Sequence, residues 1–215
     1  MIEELHNLYR VFAKYKRPES FDYCPCCMTE DEKLLLLSRP LQQLDAAELG
    51  SYAADVLYTV GGEADFKYFL PRMLELSVTD AGWWPRPEIL GKKLVTAGWH
   101  HWPNEDRTAI LDLLEKTYLA ALTQALPVGD EIDSRLCVLA HCVTDISGYL
   151  DVMLQDEMGD ALFAYVDHHL TFYQKHVLNN EFWQDTGSEN RQRVCDWLYH
   201  DKIRQLLFDN YGMQI

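Results

Sequence analysis

The sequence predicts an all-α protein, and three observations carry that expectation. Apolar residues recur at steps of three and four along most of the 215 residues, which is the period of a helix buried along one face. Two segments open with a reciprocal cap pattern, Thr29 with Glu32 and Asp45 with Glu48. In this pattern a short side chain and an acid three residues on each accept a backbone N–H that the helix start leaves over. No run alternates apolar and polar residues as a half-buried strand does.

The chain is organised around residues 44–79, which read as two amphipathic helices joined at Gly61-Gly62. In the first, Leu49, Tyr52, Ala53, Val56, Leu57 and Val60 form one stripe. In the second, Phe66, Phe69, Leu70, Met73, Leu74 and Ser77 do the same. Glycine lets the chain reverse there through positive φ. Pro71 falls inside the second stripe, so that helix is either kinked or restarted at this residue.

The other elements follow in order. Residues 2–16 form a helix with Leu5, Leu8, Phe12 and Tyr15 on one face, ended by Arg17-Pro18. An irregular segment over 18–28 leads to a helix capped by Thr29 that stops before Pro40. Residues 80–87 form a loop, 88–97 a helix, and Gly98 to Pro103 a turn. The stripe Ile110, Leu113, Leu114, Thr117, Tyr118, Ala121, Leu122 and Ala125 predicts a helix over 104–126. Helices are expected at 131–143, 145–155, 157–174, 188–199 and 201–210. Leu57-Tyr-Thr-Val-Gly61 is echoed by Leu94-Val-Thr-Ala-Gly98 and, more loosely, between Val143 and Gly148. These echoes predict a degenerate helical-hairpin repeat, an α-solenoid-like stack, with an irregular helical bundle as the alternative. Either way the chain reads as a single domain over 1–215. Residues 1–43 form an N-terminal cap with a Cys-rich turn, and 44–215 the stacked hairpins.

Composition bounds the function. Apolar residues make up 48% and charged residues 25%, as in an ordinary folded protein, but the net charge is −15. Such a field repels nucleic acid and anionic membranes and suits a basic protein partner. The start has no basic n-region and no apolar h-region, and no apolar run approaches the length of a membrane span. The expected address is cytoplasmic. There, the six cysteines serve as thiols or metal ligands rather than disulfides.

Cys24-Pro25-Cys26-Cys27 is the most distinctive short motif. Cys24 and Cys27 have the spacing with which one turn presents two thiolates to structural zinc. That is half a tetrahedral site; the remainder would come from residues such as His6, His100, His101, Cys137, His141 or Cys195. The competing reading is a Cys/Pro turn packed by Phe21, Tyr23 and Met28. A redox role would need a βαβ context, which is absent. Histidine pairs stand at His100-His101 and His168-His169. His169 shares a stripe with Leu162, Tyr165, Val166 and Tyr173, which predicts a half-buried structural histidine. His200-Asp201 with Asp209 is a poor match to the ligand spacing of all-α metal phosphohydrolases. Asp201 is better read as a cap or first-turn acid of the last helix. No phosphate loop, nucleophile elbow or His-Glu-x-x-His occurs.

Four of the six tryptophans fall in turns, at Trp83, Trp84, Trp99 and Trp102. Aromatic anchors beside acidic charge, stiffened by flanking prolines, have the composition of a protein-binding patch. Trp83, Trp84 and Trp102, with Asp80, are the candidate partner-binding residues.

Three stretches together carry a resemblance: the Cys-x-x-Cys segment; Pro40-Leu41, Leu44, Leu49 and Tyr52-Ala53; and the Asp-Phe-x-x-Phe-Leu-Pro-Arg segment from Asp65 to Arg72. Over its first 80 or so residues the chain resembles a family of bacterial cytoplasmic proteins with no assigned chemistry. The resemblance implies an all-α fold. Members often carry His where Tyr68 stands, so no metal site is carried over through that position. By size, acidity and lack of catalytic residues the chain is also similar to the immunity proteins that protect bacteria from their own toxins. The leading expectation is therefore a non-enzymatic protein that occludes a basic toxin domain, without a cofactor. The alternatives are a metal-dependent hydrolase and a scaffold held by structural zinc at Cys24 and Cys27.

Overall fold

The computed structural model describes residues 1–80 and 82–214. Ala81, within the loop expected at 80–87, lies outside the described residues. The fold is all-α, with twelve α-helices and no strand among the described residues. The chain divides into two compact units, Met1–Leu113 and Leu114–Ile215, each an irregular bundle of helices rather than a regular stack of hairpins.

The first unit contains α1 (Ile2–Phe12), α2 (Glu30–Ser38), α3 (Ala46–Asp55), α4 (Glu63–Thr79) and α5 (Pro87–Thr96). Helix α6 (Asn104–Leu122) begins in this unit and ends in the next. Helix α4 is the centre, because α1, α3 and α5 all pack on it. It buries Phe66, Phe69, Leu70, Met73, Leu74 and Ser77, the stripe read from the sequence. Pro71 is buried inside it and the helix runs through without a restart. Tyr52 of α3 meets Phe69 with ring centroids 4.6 Å apart, and Phe21 lies edge-on to both. Both cap pairs form: Thr29 Oγ1 accepts from Glu32 N at 3.2 Å, and Asp45 Oδ1 from Glu48 N at 2.9 Å. The acids reciprocate to the backbone N–H groups of Thr29 and Asp45.

The partner helix of α4 is shorter than its stripe. Helix α3 stops at Asp55, and Val56 to Val60 fold into a turn that pairs with the cysteine segment. Cys24 N donates to Thr59 O at 2.8 Å and Gly61 N to Asp22 O at 2.7 Å. Val56 and Val60 are buried as the stripe requires, but by this pairing rather than by a helix face. Gly61 takes a positive φ of 56°, whereas Gly62 is extended and begins α4.

The second unit contains the end of α6, α7 (Gly129–Cys142), α8 (Ser147–Val152), α9 (Gly159–His168), α10 (Phe172–Lys175), α11 (Ser188–Trp197) and α12 (Asp201–Tyr211). Helices α7 and α9 make its most extensive contact. A 3₁₀ turn at Glu181–Asp185, between the helices expected at 157–174 and 188–199, packs on α7 and α11. The helix read over 157–174 breaks at His169, and its tail becomes the single turn of α10. Among the described residues no helix is long and apolar enough to cross a membrane.

Candidate functional site

The residues expected to bind a partner separate on folding. Trp84 is 57% exposed, whereas Trp83 and Trp102 are buried. The two buried rings are therefore corrected from surface anchors to core residues. Trp102 packs against Phe12 and Phe66, with the Lys67 ammonium 4.5 Å from its ring centroid. A residue pair in a loop has no period to say which ring turns inward, so Trp83 and Trp84 looked equivalent.

Trp84 stands at the edge of a groove of about 670 Å³ in the first unit. One face of α3, Ala46, Ala47, Gly50, Ser51 and Ala54, forms its small-residue lining. Asp55, Asp80, Cys27 and Gly82 complete it. Asp80 is fixed locally: its Oδ1 accepts from Gly82 N at 2.8 Å and its carbonyl accepts from Trp83 N at 3.0 Å. The structure thus brings Asp80, Trp84 and Cys27 to one groove and leaves out Trp83 and Trp102.

In the cysteine segment, Cys24 and Cys27 are half-buried and Cys26 is exposed. The turn is closed by Cys27 N and Met28 N donating to Cys24 O at 2.9 and 3.1 Å. The Cys26 backbone N–H lowers the Cys24 thiol below the ordinary cysteine range, helped by the neighbouring thiols. Phe21 and Met28, on either side of it in the chain, are buried. Far along the chain, His200 is the N-cap of α12, its Nδ1 accepting from Lys202 N at 3.2 Å, while Asp201 is a first-turn acid.

The second unit contains a polar cluster that sequence reasoning did not assemble. Asp133, on the second turn of α7, is fully buried. Its Oδ1 accepts from His169 Nε2 and from Trp183 Nε1, both at 2.9 Å. Burial alone would raise this carboxyl. Hydrogen bonds from His169, Trp183 and Asn180, with the His169 charge, outweigh it and hold Asp133 below the ordinary carboxylate range. Tyr165, one turn before His169, is buried with its ring 4.7 Å from the imidazole. Helix α9 delivers His168 and His169 at its C-terminus. His169 is thus fully buried rather than half-buried. His168 borders an open cleft of about 640 Å³ between residues 125–130 and α9. Donor atoms of Asp133, His168 and His169 lie within 4.8 Å of one another, the one such group of three or more among the described residues. The adjacent histidines were the available signal; Asp133, 36 residues away, was not.

No family model, curated protein or solved structure matches this all-α chain of 215 residues.

Proposed function

We propose that the chain acts by binding a basic protein on the α3 face beside Trp84, most concretely as a bacterial cytoplasmic immunity protein that occludes a toxin domain. The observation that carries this reading is the exposed Trp84 ring at the rim of a groove that Asp55 and Asp80 also line. An aromatic anchor needs a neighbouring concavity for its partner's side chains, and acidic flanks select cationic ones. Small residues on α3 let a partner backbone or helix approach closely. The net charge of −15 steers such a partner toward the chain from a distance and makes the on-rate depend on salt. The resemblance of the first 80 or so residues to bacterial cytoplasmic proteins agrees with the setting. The hydrolase alternative built on His200 and Asp201 has little to stand on, since both serve the start of α12.

The test is a paired pull-down from the native host at low salt, wild type against Trp84→Ala and Asp80→Lys. The expected result is a basic protein held by the wild type and lost from both variants. That protein, expressed alone, should be toxic, and co-expression with the wild type should rescue growth. Identical proteins retained by wild type and variants, or a retained protein that is not basic, would overturn the reading.

A further inference from the structure

The second unit holds donors that the proposed docking face does not use. Asp133 and His169 are fully buried, and each places a donor atom within 4.8 Å of the others in a group completed by His168. His169 Nε2 is engaged with Asp133 Oδ1 at 2.9 Å. The two nitrogens of an imidazole point to opposite sides of the ring, so an ion held jointly with the Asp133 carboxylate binds at Nε2 and displaces the proton shared there. Asp133 from α7 and His168 and His169 from the end of α9 thus offer one carboxylate oxygen and two imidazole nitrogens within reach of one ion.

We infer that Asp133, His168 and His169 bind a divalent transition-metal ion, with zinc as the reference case. Two imidazoles and one carboxylate form a donor set of borderline softness. This suits zinc and its neighbours better than calcium or magnesium, which take all-oxygen sets. Three protein residues also leave a position for water or a ligand group. Access comes through His168, which is half-buried and borders the cleft lined by Asp130, Asp160 and Asp167. Those acids attract a hydrated cation toward the site. Zinc–nitrogen bonds of about 2.1 Å draw the donors closer than they now stand. His168, with the cleft on one side, is the residue that closes the distance. The carboxylate offsets half of the ion's charge in a buried setting where an uncompensated cation would be expelled.

Full-length protein purified without added metal is dialysed against zinc, and bound zinc is counted per chain. The expected result is one equivalent lost in His168→Ala, at least a tenfold weakening, with unchanged helical circular dichroism. X-ray absorption of the zinc-loaded wild type should show only nitrogen and oxygen neighbours. The Cys24→Ser/Cys27→Ser double variant should bind as the wild type does. Absence of bound zinc, sulfur neighbours, or full retention by His168→Ala would each overturn the assignment. None of these readouts depends on the Trp84 groove, so the two proposals fail independently.

Discussion

Lys93 Nζ donates to the Val56 carbonyl oxygen at 2.7 Å, joining α5 to the turn that ends α3. The side chain is fully buried, and the ammonium lies 4.1 Å from the Tyr58 ring centroid. Burial lowers its pKa to about 8, although Asp55 pulls the other way.

This depression has a consequence for pH. In the unfolded chain Lys93 titrates near 10.5, so between pH 8 and that value the unfolded state binds more protons. Stability therefore rises with pH across this window, and its gain is lost as pH falls through 8. Urea unfolding at pH 7 and pH 10 should show the wild type losing ground to Lys93→Met at the lower pH. The difference between the two proteins should change by about 2 kcal/mol over that interval. Using the difference removes the tyrosines, whose own titration begins at the top of the range.

Gly129 admits no side chain. A Cβ there would stand 2.2 Å from the Ala164 carbonyl oxygen and 2.6 Å from His168 Cβ, so α7 and α9 approach through this glycine. Gly129→Ala should destabilise the second unit by about 3 kcal/mol, since backbone must move to relieve the overlap. Gly148 in α8 has nothing within 4 Å of the same position. Gly148→Ala should instead stabilise by about 0.5 kcal/mol through the unfolded chain's lost freedom. Chemical denaturation of the two variants checks the contrast.

Neighbouring tryptophans should behave oppositely. Trp83→Ala removes a buried ring and should cost about 3–5 kcal/mol. Trp84→Ala removes an exposed one and should change stability by about 0.5 kcal/mol or less. Acrylamide quenching of the wild type should find one readily accessible indole that Trp84→Ala abolishes.

The cap at Asp45 can be tested by graded substitution. Asp45→Ala leaves the Glu48 N–H without its acceptor and should cost about 1 kcal/mol. Asp45→Asn keeps an oxygen in place and should be nearly neutral. Thermal melts with amide exchange along α3 would register the difference.

Elements whose cause is local were legible in the sequence. Thr29 with Glu32 and Asp45 with Glu48 are complete within four residues, and the α4 stripe repeats often enough to define one face. The turn at Val56 to Val60 was missed because those valines also satisfy helical spacing. The pairing of Tyr23 with Val60 comes from 37 residues earlier in the chain and leaves no local trace. The candidate sites divide in the same way. Asp80 and Trp84 were readable as composition, but which ring faces solvent depends on what packs beneath it. His169 sits in an apolar stripe and reads as core. Its partner Asp133, and Trp183, which donates to the same Asp133 oxygen, lie on separate elements with no fixed spacing to it.

The single oxygen Asp133 Oδ1 takes N–H groups from both His169 and Trp183, the latter 50 residues downstream. During synthesis α7 emerges long before the indole that completes its compensation. A nascent chain arrested short of residue 183 holds this carboxylate without its indole donor. Helix α7 then has reason to stay open to water until the 3₁₀ turn arrives. The second unit should consequently order late and together, its final third locking what its first helix began.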